Sequence, residues 1–145
     1  MPASTLFQDA RRDAQGAAGD KPVDWILDDN GLTVHGDPEL LAMALREIAL
    51  NAVEALPPEG GHVRLRALEG SGGLELRVED DGCGIAPEEL AYVFDPFHST
   101  KSVGVGMGLT KAQRAVQEHG GSVSIDSRQG LGTVVHLVLP VRAAA

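Results

Sequence analysis

The sequence predicts an α+β fold, a two-layer sandwich in which a mixed, mostly antiparallel sheet of about five strands is covered on one face by about three helices. Three observations lead there. The chain has 145 residues, 43% hydrophobic and 23% charged, enough for one ordinary core and outside the range of disordered or fibrous chains. Apolar residues recur at helical spacing in two segments with clear start and stop signals. Four further segments alternate apolar and polar residues and are joined pairwise by glycine-rich turns.

Taken in chain order, residues 1–20 are rich in Ala, Gly, Asp and Arg. Ser4-Thr5 offers a cap for a short helix from Leu6 to Gln15, stopped by Gly16 and Gly19, and the segment reads as an N-terminal arm or linker remnant. Val23–Asp28 and Leu32–His35 flank Asp29-Asn30-Gly31, a step that favours positive φ, and read as a hairpin. Asp37-Pro38-Glu39 starts a helix: Asp caps free N–H groups, Pro fits the first turn, and Glu39 meets the positive dipole end. The helix runs to about Leu56, before Pro57-Pro58, with an apolar stripe at Leu41, Leu45, Ile48, Ala52 and Ala55.

Val63–Glu69 and Leu74–Asp80 form a second hairpin through Gly70-Ser71-Gly72-Gly73. A short helix follows from Pro87 to about Val93, then Phe94 and Phe97 and a Gly/Ser/Val-rich stretch from His98 to Gly108. A helix from Leu109 to Glu118 ends at His119-Gly120-Gly121, and two strands, Ser122–Asp126 and Thr133–Leu139, surround Gly130-Leu131-Gly132.

Twelve basic against 21 acidic residues give a net charge of −9, which repels nucleic acid and anionic membrane surfaces. One cysteine, Cys83, makes neither an internal disulfide nor a thiolate zinc cluster. No apolar stretch approaches the roughly 20 residues that cross a bilayer, so a cytoplasmic chain is expected. The five histidines show no metal-ligand spacing, and no nucleophile elbow is present.

Four segments carry possible chemistry. Glu47 and Asn51, four apart on the long helix, project from one face. Together they reach one ligand, the carboxylate as a base and the amide oxygen as a ligand for Mg²⁺, or they are a solvated Glu beside a tolerated Asn. Asp80-Asp81-Gly82-Cys83-Gly84 follows an apolar strand; it is either a plain turn or a carboxylate that accepts from a base amine, with glycines that admit a flat ring. Gly104, Gly106 and Gly108 lead into the helix at Leu109 after Lys101, a better match to a phosphate cradle than to a linker. Phe94 and Phe97 suit either a lid anchor or ordinary packing.

In order, these segments resemble the N, G1, F and G2 boxes of the catalytic ATP-binding domain of sensor histidine kinases, in the GHKL ATPase and kinase superfamily. The matching runs are Glu47 to Ala52, Asp80 to Ile85, Phe94 to Lys101 and Gly104 to Leu109, and Gly130-Leu131-Gly132-Thr133 is similar to the final glycine motif. The resemblance covers residues 22–140 and implies a catalytic domain over 21–141, with 142–145 as a tail. It implies the cofactors ATP and Mg²⁺: Asp80 binding the adenine amine, Thr133 supporting that contact through water, and Asn51 helping to hold the metal. Residues 98–108 become the ATP lid, with Gly104, Gly106, Gly108 and Leu109 near the triphosphate, Lys101 on a phosphate, Gly82 and Gly84 beside the nucleotide, and Phe94 and Phe97 as lid anchors.

Three positions depart from the usual kinase pattern. Glu47 stands where many histidine kinases carry the first Asn of the N box and suits a general base; Glu54 replaces a frequent Lys, and His98 a frequent aromatic residue. No histidine precedes His35, so the phosphoacceptor is expected on a separate dimerisation domain, with a response regulator beyond it. A protein-serine kinase resembling anti-sigma factors, favoured by Glu47, and a nucleotide-responsive binding module are the alternatives.

Overall fold

The computed structural model describes residues 2–70, 73–85 and 105–140. Three helices, α1 (Ala3–Ala17), α2 (Pro38–Ala55) and α3 (Val105–Glu118), accompany five strands, β1 (Val23–Asp28), β2 (Gly61–Gly70), β3 (Gly73–Asp80), β4 (Ser122–Arg128) and β5 (Gly132–Leu139). The strands form one sheet in the order β1-β2-β3-β5-β4, with β1 parallel to β2 and every other pair antiparallel. The mixed sandwich expected from the sequence is the one observed.

α2 lies at the centre of the helical layer, between α1 and α3. The Asp37 carboxylate accepts from the backbone N–H groups of Glu39 (2.9 Å) and Leu40 (3.2 Å), which supplies the cap. Ala44, Ala49 and Val53 are buried with Leu41, Leu45, Ile48 and Ala52, so the apolar face is wider than the predicted stripe, and Ala55 lies at its edge, half-buried. At the other end, the Lys21 ammonium donates to the carbonyls of Val53 (3.0 Å), which also accepts from the Leu56 N–H (3.1 Å), and of Leu56 (2.7 Å). Val63, Leu65, Ala67, Leu76, Val78, Val135, Leu137 and Leu139 cover the facing side of the sheet.

The opposite side of the sheet carries charge in cross-strand rows. Arg66 pairs with Asp28 (3.9 Å) and Glu79 (3.5 Å), Arg77 with Glu75, and His136 lies between Glu75 (3.4 Å) and Asp126 (2.9 Å). These rows suit water. No helix among the described residues is long and apolar enough to cross a membrane.

Three local expectations need correction. The first twenty residues are not an arm: α1 starts at Ala3 with no side-chain cap, and Ala3, Leu6, Phe7, Ala10 and Ala14 are buried against the core. A tertiary bond replaces the cap, since the Ala3 N–H donates to the Leu32 carbonyl at 2.9 Å. Val23–Asp28 and Leu32–His35 do not form a hairpin. The chain does turn at Asn30 (φ 52°) and Gly31 (φ 67°), but Thr33 bridges to Pro2 and Val34 enters the core, while β1 pairs with β2. A parallel partner requires a crossover, and α2 is that crossover. Finally, α3 starts four residues before Leu109, taking Gly106 and Gly108 into its first turn.

Phe7 is fully buried, so Phe7→Ala is expected to cost about 3–5 kcal/mol in urea unfolding. A loss below about 1 kcal/mol would restore the reading of residues 1–20 as an appendage.

Candidate functional site

β3 ends at Asp80, whose register partner on β5 is Thr133. Directly opposed residues share a face, so both side chains belong to the helix-covered side, at the end where the helical cover opens. They line an open cleft of about 390 Å³ together with Ser127, Arg128, Leu131 and Gly132. The carboxylate of Asp80 accepts from the Gly82 N–H at 2.9 Å. Burial pushes its pKa up to about 6; the neighbouring Asp81 charge adds to the rise, and the backbone amides of Gly82 and Thr133 oppose it.

The turn after β3 is held from two sides. The Cys83 N–H donates to the Ala55 carbonyl (3.0 Å) at the end of α2, and the Gly130 N–H donates to the Cys83 carbonyl (2.7 Å) from the β4–β5 turn. Both glycines of the motif are required by that closure. A Cβ on Gly82 would stand 2.5 Å from the Ala55 carbonyl oxygen, and one on Gly84, at φ 71°, would overlap the Arg128 carbonyl. At both glycines the space a side chain would fill therefore goes to protein backbone, as the turn among the two sequence readings requires.

Asp81 points the other way. The backbone N–H of His62 donates to its Oδ1 (2.7 Å), and His62 Nδ1 lies 2.8 Å from Oδ2. Partial burial would raise the Asp81 pKa, but these His62 bonds hold it below the usual carboxylate range, and the same pairing raises His62. Asp81 thus continues the β2–β3 ladder one step past Asp80.

Glu47 and Asn51 are both half-buried on α2, and Asn51 sits one turn before the Ala55 carbonyl that holds the glycine turn. The amide nitrogen of Asn51 is buried without a hydrogen-bond partner among the described residues. Such a donor is costly to leave unmade and is open to an acceptor. Glu54 is exposed.

α3 runs antiparallel to α2. Its far end is fixed by His119, whose Nε2 accepts from the Asp37 N–H (2.8 Å) at the start of α2 while Nδ1 donates to the Ala115 carbonyl (2.7 Å). With the end of α3 beside the start of α2, the N-terminus of α3 and its backbone at Gly106 and Gly108 lie toward the Asn51–Ala55 end. There its first N–H groups lack intrahelical acceptors. Leu109 is only 2% exposed and anchors this turn in the core. Phe94, Phe97, His98, Lys101 and Gly104, with the helix expected from Pro87, lie outside the described residues. Ser127, which no sequence motif marked, joins the site through Thr133 and Ile85.

Because the folded state holds a proton on Asp80 up to about pH 6, the group's favourable share of stability is complete below its unfolded pKa and disappears as pH rises through 6. Asp80→Asn keeps an acceptor for Gly82 without the charge. It should stabilise the ligand-free domain by about 3 kcal/mol at pH 8, and by about half of that at pH 5, in urea unfolding. An equal gain at both pH values would show that ionisation is not the cause.

Residues 36–143 match the family of histidine kinase-, DNA gyrase B- and HSP90-like ATPases. The sensor histidine kinase ZraS of Escherichia coli strain K12 is 35% identical over 108 residues, which are 74% of this chain and 23% of that protein. The histidine-protein kinase AtoS of the same strain is 37% identical over 122 residues, 82% of this chain and 20% of its own. The chain therefore spans about a quarter or less of the length of these curated relatives. Among solved structures, the mycobacterial sensor histidine kinase MprB superposes with a TM-score of 0.79 at 28% identity, covering 97% of this chain and 96% of that one. The catalytic domain of histidine kinase ThkA, at 22% identity, shares the fold with a TM-score of 0.82 over 97% of this chain and 93% of its own. This chain belongs to the histidine kinase-, DNA gyrase B- and HSP90-like ATPase family.

Proposed function

We propose that this chain is the ATP-binding catalytic domain of a two-component sensor histidine kinase, acting in the cytoplasm. In this reading it passes the γ-phosphoryl group of ATP to a histidine on a separate dimerisation domain, and the group then moves to a response regulator. One observation carries the reading: a half-buried carboxylate, Asp80, opposes Thr133 in a cleft whose turn is bonded to the end of the helix that bears Asn51. The names of two relatives, a sensor histidine kinase and a signal transduction histidine-protein kinase, support the acceptor class.

The base is held by the sheet. Ionised Asp80 accepts from the exocyclic amine of adenine, Thr133 stands beside that contact as its register partner, and Gly82 and Gly84 keep the carboxylate in place by letting its turn close. The phosphates belong to the helices. The N–H groups at the start of α3, with Gly104, Gly106 and Gly108, receive anionic oxygens, Lys101 adds charge, Leu109 anchors the turn, and Phe94 and Phe97 hold the lid.

Asn51 fits Mg²⁺: its amide nitrogen, without a partner among the described residues, suits a phosphate oxygen, which leaves the amide oxygen as the hard ligand that Mg²⁺ prefers. When bound, the ion neutralises charge on the β and γ phosphates. Glu47, one turn before Asn51 on the same face, orients the acceptor or takes its proton. Transfer itself forms a nitrogen–phosphorus bond as the bond to the ADP oxygen breaks, so positioning carries most of the catalysis.

Incubation with γ-labelled ATP and a histidine-bearing dimerisation domain should place acid-labile label on that domain. Acid-stable label would instead indicate a serine acceptor, and binding without any label a nucleotide-responsive module. Asp80→Asn should weaken ATP binding roughly 10- to 100-fold, and wild-type affinity should fall as pH drops below 6. Asn51→Ala should reduce binding of ATP with Mg²⁺ more than without it. Glu47→Gln should lower transfer at least about tenfold with little change in the ATP dissociation constant; equal losses in both would make Glu47 a binding residue.

A further inference from the structure

The hydroxyl of Ser127 is the meeting point of three chain segments. It accepts from the Ile85 N–H at 2.8 Å, lies 3.1 Å from the Gly132 carbonyl oxygen, and lies 2.8 Å from the Thr133 hydroxyl. A hydroxyl has one proton to give and two lone pairs to receive with. The Ile85 N–H takes one lone pair. The Gly132 carbonyl can only accept, so the Ser127 proton goes to it. The contact with Thr133 then becomes a hydrogen bond only if Thr133 supplies the proton. In the reverse arrangement, Ser127 donates to Thr133 and abandons the Gly132 carbonyl, so one of the three contacts is lost.

The favoured arrangement fixes what Thr133 shows to the cleft. With its proton committed to Ser127, the Thr133 hydroxyl presents lone pairs only. Ionised Asp80, opposite in register, also presents lone pairs only. Two acceptors side by side match a purine that carries an amine at its sixth position and oppose one that carries a carbonyl there.

We propose that Ser127 is a positioning residue that turns Thr133 into an acceptor and so sets the preference of this site for 6-amino over 6-oxo purine nucleotides. The inference rests on the reading that Asp80 and Thr133 face the base. Without the Ser127 hydroxyl, Thr133 is free to rotate and donate to an incoming carbonyl, so discrimination falls even though Asp80 is intact.

The test is the ratio of dissociation constants for ATP and inosine triphosphate, measured by calorimetry on the whole chain at pH 8. Ser127→Ala should lower the preference for ATP by about tenfold, the range expected for one mismatched hydrogen bond, while Ser127→Thr, which keeps the hydroxyl, should hold it within about twofold. Thr133→Val should show the same loss as Ser127→Ala and carries the test if the alanine variant does not fold, and the double variant should lose no more. If Ser127→Ala or Thr133→Val weakens both nucleotides equally and leaves the ratio unchanged, Ser127 serves packing alone and the proposal is overturned. Failure of the underlying reading looks different: wild type would not distinguish the two nucleotides, and Asp80→Asn would bind ATP as wild type does.

Discussion

The peptide at Cys83 is the keystone of this molecule. Its N–H is bonded to the last turn of α2 and its carbonyl to the β4–β5 turn, so one residue ties the central helix to the far end of the sheet. That closure works only because Gly82 and Gly84 leave no side chain where the Ala55 and Arg128 carbonyls lie. Once the turn is pinned, Asp80 has no freedom to swing into water. It remains beside Thr133 under the edge of the helical layer, where its charge is poorly solvated. The chemistry of the site therefore follows from a packing constraint on backbone, two residues away from the carboxylate.

The same constraint explains why the site is held at a cost to stability. Asp80 resists ionisation, and the Asn51 amide is buried without an acceptor among the described residues. A core selected for stability alone would carry neither group, since each represents an unmet electrostatic demand. The surrounding structure compensates with ordinary means: the Asp37 cap, the Lys21 ammonium over the end of α2, and the buried aliphatic face between helix and sheet. Lys21 and the Cys83 N–H act on the same last turn of α2, and so fix the helix at the point where Asn51 must be presented.

Much of this was legible in the sequence wherever a local signal and a tertiary requirement agree. Asp37-Pro38 marked the start of α2, Pro57-Pro58 its end, and the glycine turn the β2–β3 hairpin, because capping and turn chemistry act over a few residues. Asp80, Thr133 and Asn51 were readable as candidates because they recur in a known order of motifs. Where partners lie far along the chain, local reading went astray. β1 looked like half of a hairpin because its turn is genuine, but its hydrogen bonds go to β2, reached only after α2 crosses the sheet. α1 looked like an arm because its alanines carry little hydrophobic weight, although alanines are what let α1 lie close on α2. Ser127 gave no signal at all: its role depends on three partners, one of them 42 positions away in Ile85.

In the proposed function, the site divides into two halves with different physics. The base half is preformed: Asp80, Ser127 and Thr133 sit on paired strands, and each is fixed by hydrogen bonds inside the protein. The phosphate half is unfinished. Asn51 has a donor without a partner among the described residues, and the first turn of α3 has N–H groups without helical acceptors, so in the proposed function both are open to an anion. His119 keeps α2 and α3 in register from the opposite end, joining the start of one to the end of the other. Their other ends are thus positioned relative to one another, beside the space that phosphates would occupy in the proposed function. A rigid recognition half beside a half completed by its ligand suits group transfer. In the proposed function, the invariant part of the nucleotide would be gripped by structure already in place, and the part whose charge changes during transfer would meet donors that have no partner to give up among the described residues.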